Sequence, residues 1–341
     1  MYTIEQIKDK DVWEDFVKSQ PFTPMTQSWQ YGVFYNNIKE KKWVFGIFDK
    51  EKNIIGGALI LSVHARRGNF LFIPYGPLMI KDDERALEDL YIHIKRLAKK
   101  EKYSFIRVSP FVENTPQNKK LYAQLGFKRA PLHMLAETTW MLDLSTKNED
   151  DMMMDMNKNH RNLIHRCLRD GVYVNSFKDP KKLDKFNDIH DVTAKRHNFT
   201  RFSDEYITEE FKAFAPDDVL VLQAYLPDDQ LDSSAVVYFY GDMAAYRHGA
   251  SLLQNKKLPS SYLLQWTAIQ EAKKRGIRYY NFWGIAPDDA PDFHPFKGIT
   301  HFKKGFGGFQ KDLLPAQDLI VSWMYYFNWI IETIRRKKRK F

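Results

Sequence analysis

Short apolar runs separated by polar turns fill the first half of the chain. WVFGIF (43–48) and IIGGALILSV (54–63) flank DKEKN, a turn composition that predicts a hairpin. NFLFIPYG (69–76) predicts a third strand. A helical stretch follows at 84–102, then the strand YSFIRVSP (103–110), a short helix over 116–125 ending at Gly126, and the strand TTWMLDL (138–144).

The second half repeats the plan. Helical 151–169 precedes DGVYVNSF and a helix over 180–196. VLVLQAYL (219–226) and SSAVVYFY (233–240) flank PDDQLD, again a hairpin signal. MAAYRHGAS comes next, then a helix over 260–275 and the strand IRYYNFWG (277–284). LAKKEKYSFIRVSP matches EAKKRGIRYYNFWG at an offset of 174 residues, Ala98 against Ala272. With the matching hairpins upstream, this reads as a duplication. Polar STKNEDD (145–151) marks a boundary. The expectation is α/β with mixed sheets: domains at 1–148 and 149–315, a cleft between or beside them, and a separate amphipathic helix with a basic tail at 316–341.

That last segment, LIVSWMYYFNWIIETI (319–334), is 16 residues long, short for a membrane span of ~20. At helical period Asp318, Ser322, Tyr325, Asn328, Glu332 and Thr333 gather on one side, with Trp329 among them; the other side is almost wholly apolar. RRKKRK (335–340) follows. These features predict a helix lying on an anionic membrane surface or packed on the second domain.

Charge sharpens the picture. The net charge is +9, yet without the terminal run 46 basic residues face 43 acidic ones. The body is only mildly basic, with a second cluster at KNHRNLIHRCLR (158–169), so an anionic partner such as RNA fits local patches. One cysteine, Cys167, excludes a disulfide framework and a cysteine-based zinc site. The N-terminus lacks a signal-peptide core, and a cytoplasmic protein is expected. Histidines 294 and 301 lack metal spacing, and no Ser-His-Asp signature is present; no cofactor is expected.

Residues 294–310, HPFKGITHFKKGFGGFQ, hold four glycines, four phenylalanines and three lysines. Neither the P-loop nor the dinucleotide pattern is met. The stretch predicts a loop whose Gly305–Gly308 amides face an anion, or a surface loop with its aromatics tucked inward. Lys303 is expected at its surface.

FKKGFGG, MNKNHRNLIHRCLRDGVYV, YGPLM (75–79) and the doubled α/β plan together resemble the Fem aminoacyltransferases, through about residue 315. The resemblance implies two tandem GNAT-like domains, without the helical-hairpin arm that some members carry. It implies transfer of an amino acid from aminoacyl-tRNA to an amine of a nucleotide- or lipid-linked muropeptide precursor of peptidoglycan. By motif match Phe302 and Lys303 lie where the tRNA 3′ end meets the acceptor, with Lys304 and Gly305 beside them. Lys303 then supplies positive charge to the carbonyl oxygen, and Phe302 stacks on the terminal adenine. Tyr206, Tyr246 and His248 match acceptor-binding positions. The family's arginine position is Phe202 here, and Arg201 one place away substitutes. Arg161, Arg166 and Arg169 are assigned to the tRNA backbone. Two alternatives stay open: a CoA-dependent N-acyltransferase, whose Arg/Gln-x-x-Gly signature is weak because Phe302 holds its first position, and a non-catalytic membrane-associated binding protein.

Overall fold

A computed structural model describes residues 2–339 apart from 66–67, 82, 198, 292–293 and 295. The side chains of residues 337–339 are not described, so the expected role of most of the basic tail lies outside the described residues. The chain forms two compact units: Met1–Thr138 with Lys311–Phe341, and Thr139–Gln310.

In the first unit Lys42–Phe48, Ile54–Ala65 and Gly68–Pro74 form an antiparallel meander. The helix Glu84–Lys100 crosses over to Phe105–Ser109, which pairs parallel with Gly68–Pro74. Asp83 caps that helix by accepting the Ala86 amide at 2.9 Å. Leu87, Leu90, Tyr91, Ile94 and Ala98, at helical spacing, bury one face against the sheet. Lys99 and Lys100 sit at the negative end of the helix dipole.

The second unit runs the same course. Val219–Tyr225, Leu231–Tyr240 and Met243–Ser251 form the meander. The helix Ser260–Lys274 leads to Tyr279–Gly284, parallel to Met243–Ser251. Thr138–Asp143 pairs antiparallel beside it, with Phe309–Asp312 at the edge. The repeated strand–helix–strand pattern is therefore a structural repeat.

Three local expectations need correction. Residues 151–169 are not one helix: Glu149–Asp155 ends, and Lys158–Arg169 starts afresh behind Asn157, whose side chain accepts from the His160 amide. The glycine-rich stretch is not a loop throughout: Lys297–Lys304 is helical, and Gly305 forms its C-cap. The C-terminal segment is not a separate domain, and its first part is not helix. Gln317–Ile320 is a strand between Phe105–Ser109 and Phe127–Arg129 of the first sheet, and only Tyr325–Arg339 is helical. The units accordingly divide at 138/139 and 310/311 rather than near Ser145–Asp151. A strand from the chain's far end completes the first sheet, a pairing too distant in sequence for a boundary argument based on local polarity.

Candidate active site

The second unit gathers most of the residues singled out in the sequence. The helix Lys297–Lys304 places Lys303 inward: it is 4% exposed, and its Nζ donates to the carbonyl of Gly284 at 2.6 Å. Burial lowers its pKa to about 7, so near neutral pH the amine is part charged, part free base. The expectation of a surface lysine is corrected. Lys304 points outward and pairs with Asp288 at 2.9 Å, 5.2 Å above the Trp140 ring.

Gly284 ends a strand with an irregular finish. The register of Tyr279–Gly284 slips between Asn281 and Gly284, and Trp283 takes φ 67°. A left-handed tryptophan costs on the order of 1–3 kcal/mol, and such strain is concentrated at functional positions. The Trp283 ring lies 4.9 Å from the guanidinium of Arg247. Arg247 is itself the extra residue of a bulge: Val236 faces His248 and Val237 faces Tyr246. The bulge lets two successive side chains reach one partner. Arg247 Nε donates to Glu210 Oε1 at 3.1 Å, and His248 Nε2 lies 2.7 Å from Glu210 Oε2.

Glu210 is fully buried. Burial alone would raise its pKa, but Arg247 and His248 outweigh that and hold the carboxyl below its ordinary value. Burial lowers the pKa of His248, against the pull of Glu210. Nearby His190 is pushed down to about 4, chiefly by burial and then by His248, which keeps it neutral at ordinary pH. Glu210 and Arg247 escaped the sequence reading. Glu210 lies on the apolar face of Asp204–Phe214 with Ile207, Phe211 and Phe214, and a carboxylate there requires a cationic partner.

Phe202 covers this network. Its ring stacks on Tyr206 at 4.3 Å, meets His248 edge-on at 5.9 Å and lies 5.5 Å from the Arg247 guanidinium. Trp283, Arg247, His248, Phe202 and Tyr206 thus form a connected cluster, and Lys303 meets its edge at the carbonyl of Gly284, next in sequence to Trp283. Arg201 points elsewhere: the carboxylates of Asp191 and Asp204 hold its guanidinium, the latter at 2.6 Å. Tyr246 packs on the hydrophobic core, and burial pushes its hydroxyl up to about 12.

Around Gly305 the structure assigns packing rather than ligand binding. A Cβ on Gly305 would lie 2.0 Å from His160 Cε1. His160 is buried, with Nδ1 2.8 Å from Asn157 Oδ1 and Nε2 2.8 Å from the Phe302 carbonyl. The Asn157 amide donates to the Gly305 carbonyl at 2.9 Å. The amides of Gly305, Phe306 and Gly307 donate back to His301, Lys303 and Lys304, so these three do not form the anion-facing turn expected. Gly307 and Gly308 take φ 81° and 98°, and a Cβ on Gly308 would meet the Met141 carbonyl at 2.2 Å. Phe302 is half-buried, with its ring edge-on to Tyr262 and Phe306.

The arginines of Lys158–Arg169 divide. Arg161 donates to the carbonyls of Met154 and Met156 at 2.8 and 2.6 Å, capping the preceding helix. Arg166 and Arg169 are exposed, Arg169 paired with Asp170. No group of metal-ligating side chains occurs among the described residues.

An antiparallel meander joined through a helix to a parallel strand, present twice, is the architecture of tandem GNAT proteins. One such protein, from the clavulanic acid biosynthesis pathway, superposes with a TM-score of 0.59 at 10% identity, over 94% of this chain and 99% of that one. The family model described as "FemAB family" matches residues 9–234 and 227–327, and the chain belongs to that family. The crystal structure of FemX superposes with a TM-score of 0.82 at 19% identity, over 96% of this chain and 100% of that one. Aminoacyltransferase FemA of Staphylococcus epidermidis is 20% identical, over 86% of this chain and 90% of its own length. The lipid II:glycine glycyltransferase of Staphylococcus saprophyticus is 27% identical over 164 residues, which are 48% of this chain but only 34% of that enzyme.

Proposed function

We propose that this chain is an aminoacyltransferase that moves an amino acid from charged tRNA to an amine of a peptidoglycan precursor, the step that builds an interpeptide bridge. Family membership and the names of its relatives support the class of reaction. The observation that carries the site is Lys303, a desolvated amine with a pKa of about 7 that donates to the carbonyl of Gly284, next in sequence to Trp283, whose ring lies against Arg247 of the Arg247–His248–Glu210 network.

In such a transfer the acceptor amine attacks the aminoacyl ester carbonyl. The amide C–N bond forms, the tRNA 3′ oxygen leaves and takes a proton, and the attacking nitrogen gives one up. Negative charge builds on the carbonyl oxygen meanwhile, and a protonated Lys303 in a dry setting is the donor that stabilises it. The ester is already activated, so no covalent enzyme intermediate is required. Phe302 offers the terminal adenine a stacking edge, and Arg166 and Arg169 offer its phosphates charge. Tyr206, His248 and Arg247 hold the acceptor. With a lipid-linked acceptor the chain works at the inner face of the plasma membrane.

The test is incubation with a panel of charged tRNAs and both nucleotide-linked and lipid-linked muropeptides, followed by mass spectrometry. An acceptor heavier by one aminoacyl residue, only with charged tRNA, is expected. No mass gain in any pairing, while a known aminoacyltransferase modifies the same acceptors, overturns the reading.

A further inference from the structure

The C-terminal helix of the first unit is built inside out. Its inward face is polar: Tyr325, Asn328 and Glu332 are each no more than 1% exposed. Glu332 accepts from Arg107 Nη1 and Nη2 at 3.0 and 2.7 Å. The same guanidinium donates to Asp318 at 2.8 Å through Nε and again through Nη2, and the Tyr325 hydroxyl donates to Asp318 at 3.3 Å. Arg107 is wholly buried in a central strand, its guanidinium 5.5 and 5.2 Å from the rings of Phe70 and Phe105, which stack on each other.

The outward face is apolar. Trp323, Phe327, Trp329, Ile330, Ile331 and Ile334 are between 40% and 71% exposed. Contiguous apolar surface of this kind marks an interaction site. Helices normally bury the apolar stripe and expose the polar one. Here the triad of Arg107, Asp318 and Glu332 fixes the rotation the other way, because rolling the helix would strand buried charges.

What covers this face follows from charge. Residues 335–340 are six consecutive basic residues, and Glu332, held in the triad, is the one acidic residue in 319–341. A second copy of the chain would bring the same basic run with no exposed acid on the segment to meet it. The mixture of aromatic and aliphatic groups beside a basic run suits a bilayer interface, where indole rings sit at headgroup level. No helix among the described residues is long and apolar enough to cross a membrane.

We propose that Tyr325–Arg339, with the turn at Trp323, docks on an anionic lipid surface, lying in its plane with the outward apolar face among the acyl chains, drawn there by the positive charge of the segment. This goes beyond the transfer chemistry and does not depend on it, since lipid binding is measured without either transfer substrate.

The test is flotation of the full chain with phosphatidylcholine vesicles and with phosphatidylcholine–phosphatidylglycerol vesicles, comparing wild type with Trp323→Ser/Phe327→Ser/Ile330→Ser. Wild type is expected to float with the anionic vesicles, with a blue shift of tryptophan emission, and to be released by salt. The triple variant should bind at least ~tenfold more weakly while keeping the wild-type thermal transition, because all three side chains face outward. Equal flotation of both proteins, or none of wild type at low salt, overturns the proposal. So does a wild-type dimer in sedimentation that the triple variant abolishes while neither protein binds vesicles; that result assigns the face to a second copy.

Discussion

Lys303 Nζ lies 2.6 Å from the carbonyl oxygen of Gly284, and burial is what brings its pKa to about 7. A single backbone carbonyl is a weak partner for a buried ammonium, which leaves this amine available to respond to charge appearing nearby. Lys303→Ala is expected to lower aminoacyl transfer by ~10²-fold, the scale for losing one oxyanion donor. Initial rates with saturating charged tRNA measure it; a rate within threefold of wild type removes Lys303 from the mechanism. Lys304→Ala, whose ammonium is paired with Asp288, is expected to be much milder.

The same burial makes a stability prediction. The folded pKa is about 7 and the ordinary value 10.5. Between them the unfolded chain holds a proton that the folded chain lacks, so stability from this group rises with pH across that window and is flat below it. Denaturant midpoints of wild type and Lys303→Met, followed from neutral to alkaline pH, should move in favour of wild type as pH rises. A constant difference means the amine is not desolvated.

Gly305 is expected to tolerate no side chain. Gly305→Ala must displace the His160 ring and should cost roughly 1–3 kcal/mol, the range for overpacking. Gly298, in the helix that Gly305 caps, faces open space where a Cβ would sit. Gly298→Ala should stabilise by up to ~1 kcal/mol through helix propensity. Urea midpoints of the pair decide; equal effects would show that His160 is free to move.

Arg166 and Arg169 are expected to bind RNA phosphates. Neutralising both should flatten log K against log salt by about 0.7–0.9 for each phosphate no longer neutralised, leaving the thermal transition unchanged. Arg161→Ala should lower stability instead, since it frees the Met154 and Met156 carbonyls. An unchanged salt slope in the double variant removes this helix face from RNA binding.

Much of the fold was legible because its signals are local. Two hairpins and two helix–turn–strand units, their helices ending at Lys99–Lys100 and Lys273–Lys274, repeat in order. FKKGFGG, MNKNHRNLIHRCLRDGVYV, YGPLM and the doubled plan, taken in order, pointed to the family to which the chain belongs. Long-range features were not legible. Gln317–Ile320 overlaps the start of an apolar run of helical period, and its strand partners lie about two hundred residues earlier. The polar side of the last helix was visible as a stripe, but not that it turns inward, because Arg107 carries no local mark of burial. Lysine is by default exposed, and nothing in the residues around Lys303 signals that its helix turns it inward. Glu210 was the recoverable omission, an acid on an otherwise apolar helix face.

The triad of the first unit yields the last prediction. Arg107→Met leaves Asp318 and Glu332 buried side by side without a cation, and breaking a buried pair in this way costs about 3–5 kcal/mol. Glu332→Gln leaves the Arg107–Asp318 pair intact and removes one charged hydrogen-bonding group, a loss of about 1.5–3 kcal/mol. The two variants should also differ in pH dependence. Burial is the main cause that raises the Asp318 pKa, with Glu332 adding to it, despite Arg107. Without the arginine, which opposes that rise, the Asp318 carboxyl should titrate higher still. A carboxyl whose folded pKa is raised contributes stability that is present below the unfolded pKa and lost as pH rises through the folded one. The deficit of Arg107→Met relative to wild type should therefore shrink on going from neutral pH toward about 4, the ordinary carboxylate range. Urea unfolding of both variants at the two pH values measures this. A deficit in Arg107→Met that is the same at both would mean water reaches the carboxylates once the guanidinium is gone, and the helix would then not be locked in rotation by buried charge.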